Sequence, residues 1–97
     1  MTSRLHSAAR REIKDAVLFY AQRNQEIGDR FLDAIESAIG KIREAPNRFR
    51  QLENDLYQCR LTGFPYAIIY KVTKAELIIL AVKHDRRRPD YWRNRLR

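Results

Sequence analysis

Cysteine is nearly missing from this sequence. Cys59 stands alone, which excludes an intrachain disulfide and any thiolate-rich metal centre. Histidine is almost as scarce, with only His6 and His84, too few ligands for a structural zinc site, so neither metal nor cofactor is expected. Three glycines and three prolines among 97 residues leave no linker, repeat or low-complexity tract. That length suits one domain, residues 1–97, with one core. No apolar window approaches the roughly 18 residues that a bilayer-crossing helix requires. Met1-Thr2-Ser3-Arg4 leads straight into polar sequence without a signal-peptide core. The expectation is a cytoplasmic protein with no membrane partner.

Negative charge is also in short supply. Twelve Asp and Glu face twenty Lys and Arg, a net charge of +8. A balance of that sign favours an acidic partner, whether a nucleic acid, an anionic membrane surface or an acidic protein, and composition alone leans only slightly towards nucleic acid. Apolar residues, at 44%, are ample for a folded core.

The first half has helical periodicity. Ile13, Val17 and Tyr20, with Ala9, Ala16 and Ala21, make one apolar stripe over residues 9–22. Ser7 suits its N-cap. Arg10 and Arg11 sit at its start, where the helix dipole disfavours cations and an outside partner would explain them. A second stripe runs through Ile27, Phe31, Ile35, Ala38 and Ile42, with Leu32 and Ile39 widening it. Asn24 suits its cap, and Ala45-Pro46 its end. The short link predicts an antiparallel helical hairpin.

The second half has strand character. Residues 56–61, 66–72 and 76–82 are rich in β-branched and aromatic residues. The last of these is apolar at each position after Glu76, as in a central strand covered on both faces. Thr73-Lys74-Ala75 is too short for a crossover, so its flanking strands pair antiparallel. Residues 2–7 are long enough for a short edge strand. The fold class expected is α+β: the helical hairpin packed on a small, mostly antiparallel sheet of three or four strands, followed by a short basic C-terminal segment.

That segment concentrates the charge. Residues 83–97 hold Lys83, Arg86, Arg87, Arg88, Arg93, Arg95 and Arg97 against only Asp85 and Asp90. Guanidinium forks grip phosphate or carboxylate with two bonds. Tyr91 and Trp92 offer rings for base stacking. His84 is the side chain there that titrates near neutral pH, and in neutral form it can accept a proton. Each feature has a plainer reading: a solvated arginine tail, a structural histidine at a strand end, and rings that pin the segment onto the sheet, which suits Trp92 better than stacking.

The wording of two stretches goes further. Phe-Pro-Tyr-x-Ile-x-Tyr at 64–70 and Ile-Leu-Ala-Val-x-His-x-x-Arg-x-Pro-x-Tyr-Trp-x-x-Arg at 79–95 resemble the RelE/ParE superfamily, the toxin halves of type II toxin–antitoxin modules. The likeness covers nearly the whole chain. It implies a cognate antitoxin with an acidic, disordered segment that folds on binding. It also implies one of two activities. ParE-like members poison DNA gyrase, and RelE-like members cut mRNA on the ribosome. For the second, His84, Arg87 and Tyr91 match the catalytic cluster, with Tyr91 or His84 taking the 2′-OH proton and Arg87 steadying the phosphate. Against it, Ala67 stands where cleaving relatives often carry arginine, and residues 46–58 offer Arg48 and Arg50 but no lysine. The resemblance therefore favours the ParE-like branch. It assigns target or antitoxin binding to Arg60, Arg86, Arg87, Arg88, Tyr91, Trp92, Arg93 and Arg95.

Overall fold

The computed structural model describes residues 2–96. Two helices, α1 (Ser7–Arg23) and α2 (Gln25–Glu44), follow a short strand, β1 (Thr2–Leu5). Four more strands complete one sheet: β2 (Arg50–Glu53), β3 (Leu56–Arg60), β4 (Tyr66–Val72) and β5 (Glu76–His84). The strand order is β1-β5-β4-β3-β2, with all pairs antiparallel except β1 with β5. A 3-10 turn at Arg93–Leu96 ends the described chain.

The helical hairpin turns on one residue. Asn24 closes α1 through its backbone N–H to the Tyr20 carbonyl, and its side-chain oxygen accepts from the Glu26 N–H at 2.9 Å to open α2. The cap of α1 is His6 rather than the expected Ser7. Its Nδ1 accepts from the Ala8 N–H at 3.0 Å, the same job a short oxygen-bearing side chain performs. Next to the hairpin turn the two helices touch through small residues. A Cβ added to Gly28 would lie 2.8 Å from the Ala21 Cβ and 3.1 Å from its backbone. Gly28→Ala is therefore expected to push the helices apart and destabilise by about 1–3 kcal/mol despite its better helix propensity. Urea unfolding checks it, and a stabilised variant would disprove the contact.

Both faces of the sheet are covered, by different means. The helices cover one face, where Phe31, Ile35 and Ile42 meet Ile68, Tyr70, Leu77, Ile79 and Val82. Tyr70 reaches past the end of α2 to donate to the Pro46 carbonyl at 2.6 Å. The opposite face carries Leu56, Ile69, Ile78, Leu80 and Ala81, and Trp92 from the C-terminal segment closes over them. Strand β5 bulges to serve both clusters. Ile69 pairs with Ala81 and Tyr70 with Ile79, so Leu80 is an extra residue and joins Ala81 on one side.

The sheet has one more strand than the three or four expected. Strand β2 shows a single apolar residue, Leu52, and is an exposed edge strand defined by its pairing with β3. Its neighbouring turn places Asp55 at φ 65°, a left-handed conformation that aspartate tolerates better than most residues.

Candidate functional site

Strand β5 outlasts its partner. Strand β1 pairs with it only as far as Ile79, so the edge beyond needs other partners. Two side chains supply them. Glu12 Oε1, from α1, accepts from the Val82 N–H at 2.9 Å. Arg95 Nη1, from the C-terminal segment, donates to the Leu80 carbonyl at 3.0 Å. Side chains thus finish the ladder that a longer β1 would have made.

Glu12 and Arg95 also grip each other. Arg95 Nη1 lies 2.9 Å from Glu12 Oε1 and Nη2 3.0 Å from Oε2, a bidentate pair in which each side chain is only 13% exposed. Tyr91 Oη donates to Glu12 Oε2 at 2.6 Å, and Arg87 Nη1 approaches the same oxygen at 3.4 Å. The Tyr91 ring lies beneath both guanidiniums, 3.7 Å from the Arg87 Cζ and 5.0 Å from that of Arg95. One carboxylate therefore organises Tyr91, Arg87 and Arg95.

The expected single arginine patch is divided among several intramolecular carboxylates. Arg60 makes a bidentate pair with Asp85 at 3.1 and 2.8 Å, and this holds the Asp85 carboxyl below its ordinary range. Arg60 also stands directly opposite Ala67 in the sheet register, where a mid-strand arginine would otherwise be. Arg93 bonds Glu53 and Asp90. Arg95 is structural. Trp92, at 2% exposure, is core and offers no stacking surface, so its assignment to binding is withdrawn. One face of Tyr91 is taken by Arg87. Arg86 and Arg88 remain exposed without a carboxylate partner among the described residues.

A cleft of about 220 Å³ opens beside this network, lined by Glu12, Asp15, Phe19, Tyr66, His84 and Arg87. His84 stands edge-on to the Tyr66 ring, 4.9 Å between centroids. Its Nδ1 accepts from the Arg86 N–H at 3.0 Å. Among the described residues no group of His, Cys, Asp and Glu could hold a metal ion.

Comparison with known proteins settles the family. Residues 4–89 match the family described as the ParE toxin of the type II toxin–antitoxin system, parDE. The chain belongs to the ParE toxin family. It is similar to Toxin ParE2 of Mycobacterium tuberculosis, in strains CDC 1551 / Oshkosh and ATCC 25618 / H37Rv. Identity is 30% over 88 residues, covering 90% of this chain and 84% of the relative. A chain of the chromosomal ParDE TA system from P. aeruginosa shares the fold, with a TM-score of 0.75 at 15% identity over 87% of this chain and 95% of that one.

Within this ParE-family chain His84 and, next to the cleft, Tyr91 already have intramolecular hydrogen-bond partners. The His84 Nδ1 lone pair is occupied by the Arg86 N–H, so that nitrogen does not accept a proton from an incoming group while the bond holds. Burial, and then the hydrogen bond to Glu12, push the Tyr91 phenol well above its ordinary value. The folded state thus binds that proton more tightly than the unfolded one. The stability it contributes is complete below pH 10 and is lost as pH rises further. An alkaline absorbance titration should show Tyr91→Phe losing amplitude from the late-ionising tyrosines, and loss from the early fraction would contradict the Glu12 contact.

Glu12 is the residue that sequence reasoning missed. Its contact with Arg95 spans 83 positions, so no local motif announces it. A usable signal was present: Glu12 falls three residues after Ala9 and four before Ala16, both buried, which places a carboxylate on the helix face turned inward.

Proposed function

We propose that this ParE-family toxin arrests growth by poisoning DNA gyrase in the cytoplasm and that a cognate antitoxin neutralises it through an acidic segment. One observation carries the choice against RNA cleavage: the Tyr91 hydroxyl is committed to Glu12 at 2.6 Å, so it is not free to take a 2′-OH proton. The bond from the Arg86 N–H that occupies His84 Nδ1 supports the same reading, as does the tie between Arg60 and Asp85 beside Ala67. What remains for the cleft is recognition. Purified toxin should inhibit supercoiling by gyrase, and full supercoiling at excess toxin would reject the proposal. Primer extension on ribosome-bound message should show no new cuts. Cuts abolished by His84→Ala with Tyr91→Phe would establish the nuclease reading instead.

The antitoxin is assigned to a groove of about 440 Å³ along the β1 edge. Leu5, Ile39, Leu77 and Ile79 form its floor, and Arg4, Arg10 and Arg43 stand around it. Arg4 is paired with Glu76, while Arg10 and Arg43 have no carboxylate within 4 Å among the described residues. An apolar floor with a cationic rim suits an amphipathic acidic segment that folds as it docks. The tail arginines suit that role less, because Arg87, Arg93 and Arg95 already hold carboxylates of their own chain.

A further inference from the structure

A second groove, also of about 440 Å³, lies at the start of α1, and its lining has a different character. Arg11 and the start of the helix form one wall; Arg87, Arg88, Asn94 and Arg95 form the other. Four guanidiniums line one concavity, and no acidic residue lines it among the described residues. Glu12 compensates Arg87 and Arg95 from behind. Arg11 and Arg88 are exposed and have no carboxylate within 4 Å among the described residues. Helix α1 adds to the same field, since its first turn carries no acidic side chain and its N-terminal residues His6 and Ala8 line the groove.

Cations gathered this way repel one another, and folding alone gains nothing from Arg11 or Arg88. The ligand that relieves the repulsion is polyanionic. The lining also says which kind. Ala8 is its one aliphatic residue, and its two rings are already engaged, Tyr91 by Arg87 and His6 by the cap of α1, so a partner that must bury apolar side chains, as an amphipathic acidic segment must, finds little floor to rest on. A phosphate backbone needs only charge and forked donors. We infer that the groove between Arg11 and Arg88 holds a nucleic-acid phosphodiester backbone, bound without reading sequence. The inference is separate from the gyrase reading, because it concerns the toxin alone and rests on Arg11 and Arg88, which do not line the His84 cleft, although Arg87 borders both.

Fluorescence anisotropy of the full chain with a labelled duplex DNA and a labelled single-stranded RNA of random sequence tests it. Removing two phosphate contacts by Arg11→Gln with Arg88→Gln should flatten the slope of log K against log salt by about 1.8 for the duplex, or about 1.4 for the single strand. Affinity for the probe should fall at least about tenfold at low salt. The probe with the greater loss identifies DNA or RNA as the source of the backbone. A control with the same loss of charge elsewhere, Arg30→Gln with Lys74→Gln, should keep most of the binding, and far-UV circular dichroism should show both variants folded. Equal loss in the control would reduce the effect to net charge and overturn the inference. So would an unchanged slope in the groove variant. A polyglutamate probe that bound as tightly as DNA and was lost with the same substitutions would assign the groove to an acidic protein and likewise overturn it.

Discussion

Glu12→Ala should destabilise the protein by up to about 3–5 kcal/mol, the cost of stranding one member of a buried ion pair, since each partner here is only 13% exposed. The loss has separable parts. Arg95, 13% exposed, would keep its charge without a carboxylate. Tyr91 Oη and the Val82 N–H would each lose an acceptor. The effect is large against the 5–15 kcal/mol that holds a typical domain together. A melting temperature for a chain of this size should fall by well over ten degrees. Glu12→Gln should recover only part, because an amide accepts at one position and leaves the guanidinium uncompensated. The informative partner is Glu12→Met with Arg95→Met. Replacing both charges with apolar groups of similar volume should lie much closer to wild type than either single change. A single Glu12→Ala variant that lost less than about 1 kcal/mol would mean that the carboxylate is not the hub of this site.

Trp92→Ala comes second, at about 3–5 kcal/mol, by removing the largest side chain of the second core cluster. Trp92 rests on Leu56, Ile69, Ile78, Leu80 and Ala81 and is the anchor through which residues 85–96 cover the open face of the sheet. Its loss should release the whole segment, including Arg95 and Tyr91, so the Glu12 network should weaken with it. Coupling between Trp92→Ala and Glu12→Ala in a double-mutant cycle would show the shared unit, with a combined cost well below the sum. Trp92→Phe should be much milder than its volume suggests. The Trp92 Nε1 is buried and has no hydrogen-bond partner among the described residues, a burden of about 1–3 kcal/mol that phenylalanine removes. Full stability in Trp92→Ala would show that the segment does not rest on the sheet.

The hairpin and the three inner strands were legible because their burial follows simple periods. Of the α2 stripe named from sequence, Phe31, Ile35, Ala38 and Ile42 are buried, joined by Gly28, whereas Ile27 and Ile39 are only half-buried and Leu32 is exposed; β5 is covered on both faces as its unbroken apolar run implied. Strand β2 was not legible. Its residues RQLE owe their conformation to hydrogen bonds from β3 rather than to apolar patterning. The N-cap shifted because imidazole Nδ1 does what a serine hydroxyl was expected to do.

The tail was half legible. Its charge was plain, but where each arginine would spend that charge depended on carboxylates far along the chain: Asp85 for Arg60, Glu53 for Arg93 and Glu12 for Arg95. Ion pairs of that sequence separation leave no trace in local spacing. Family wording located the neighbourhood, and only geometry divided structural arginines from free ones.

The parallel pairing of β1 with β5 bears on the order in which the protein assembles. Arg4 and its partner Glu76 are 72 positions apart, whereas β4 and β5 are joined by a three-residue turn. Closing the longer loop costs about 3 kcal/mol more chain entropy than closing the shorter. The β4–β5 ribbon and the α1–α2 pair are therefore early structures, and β1 docks late. Run backwards, the same inequality makes β1 the first strand to detach, and its amides should exchange with solvent soonest.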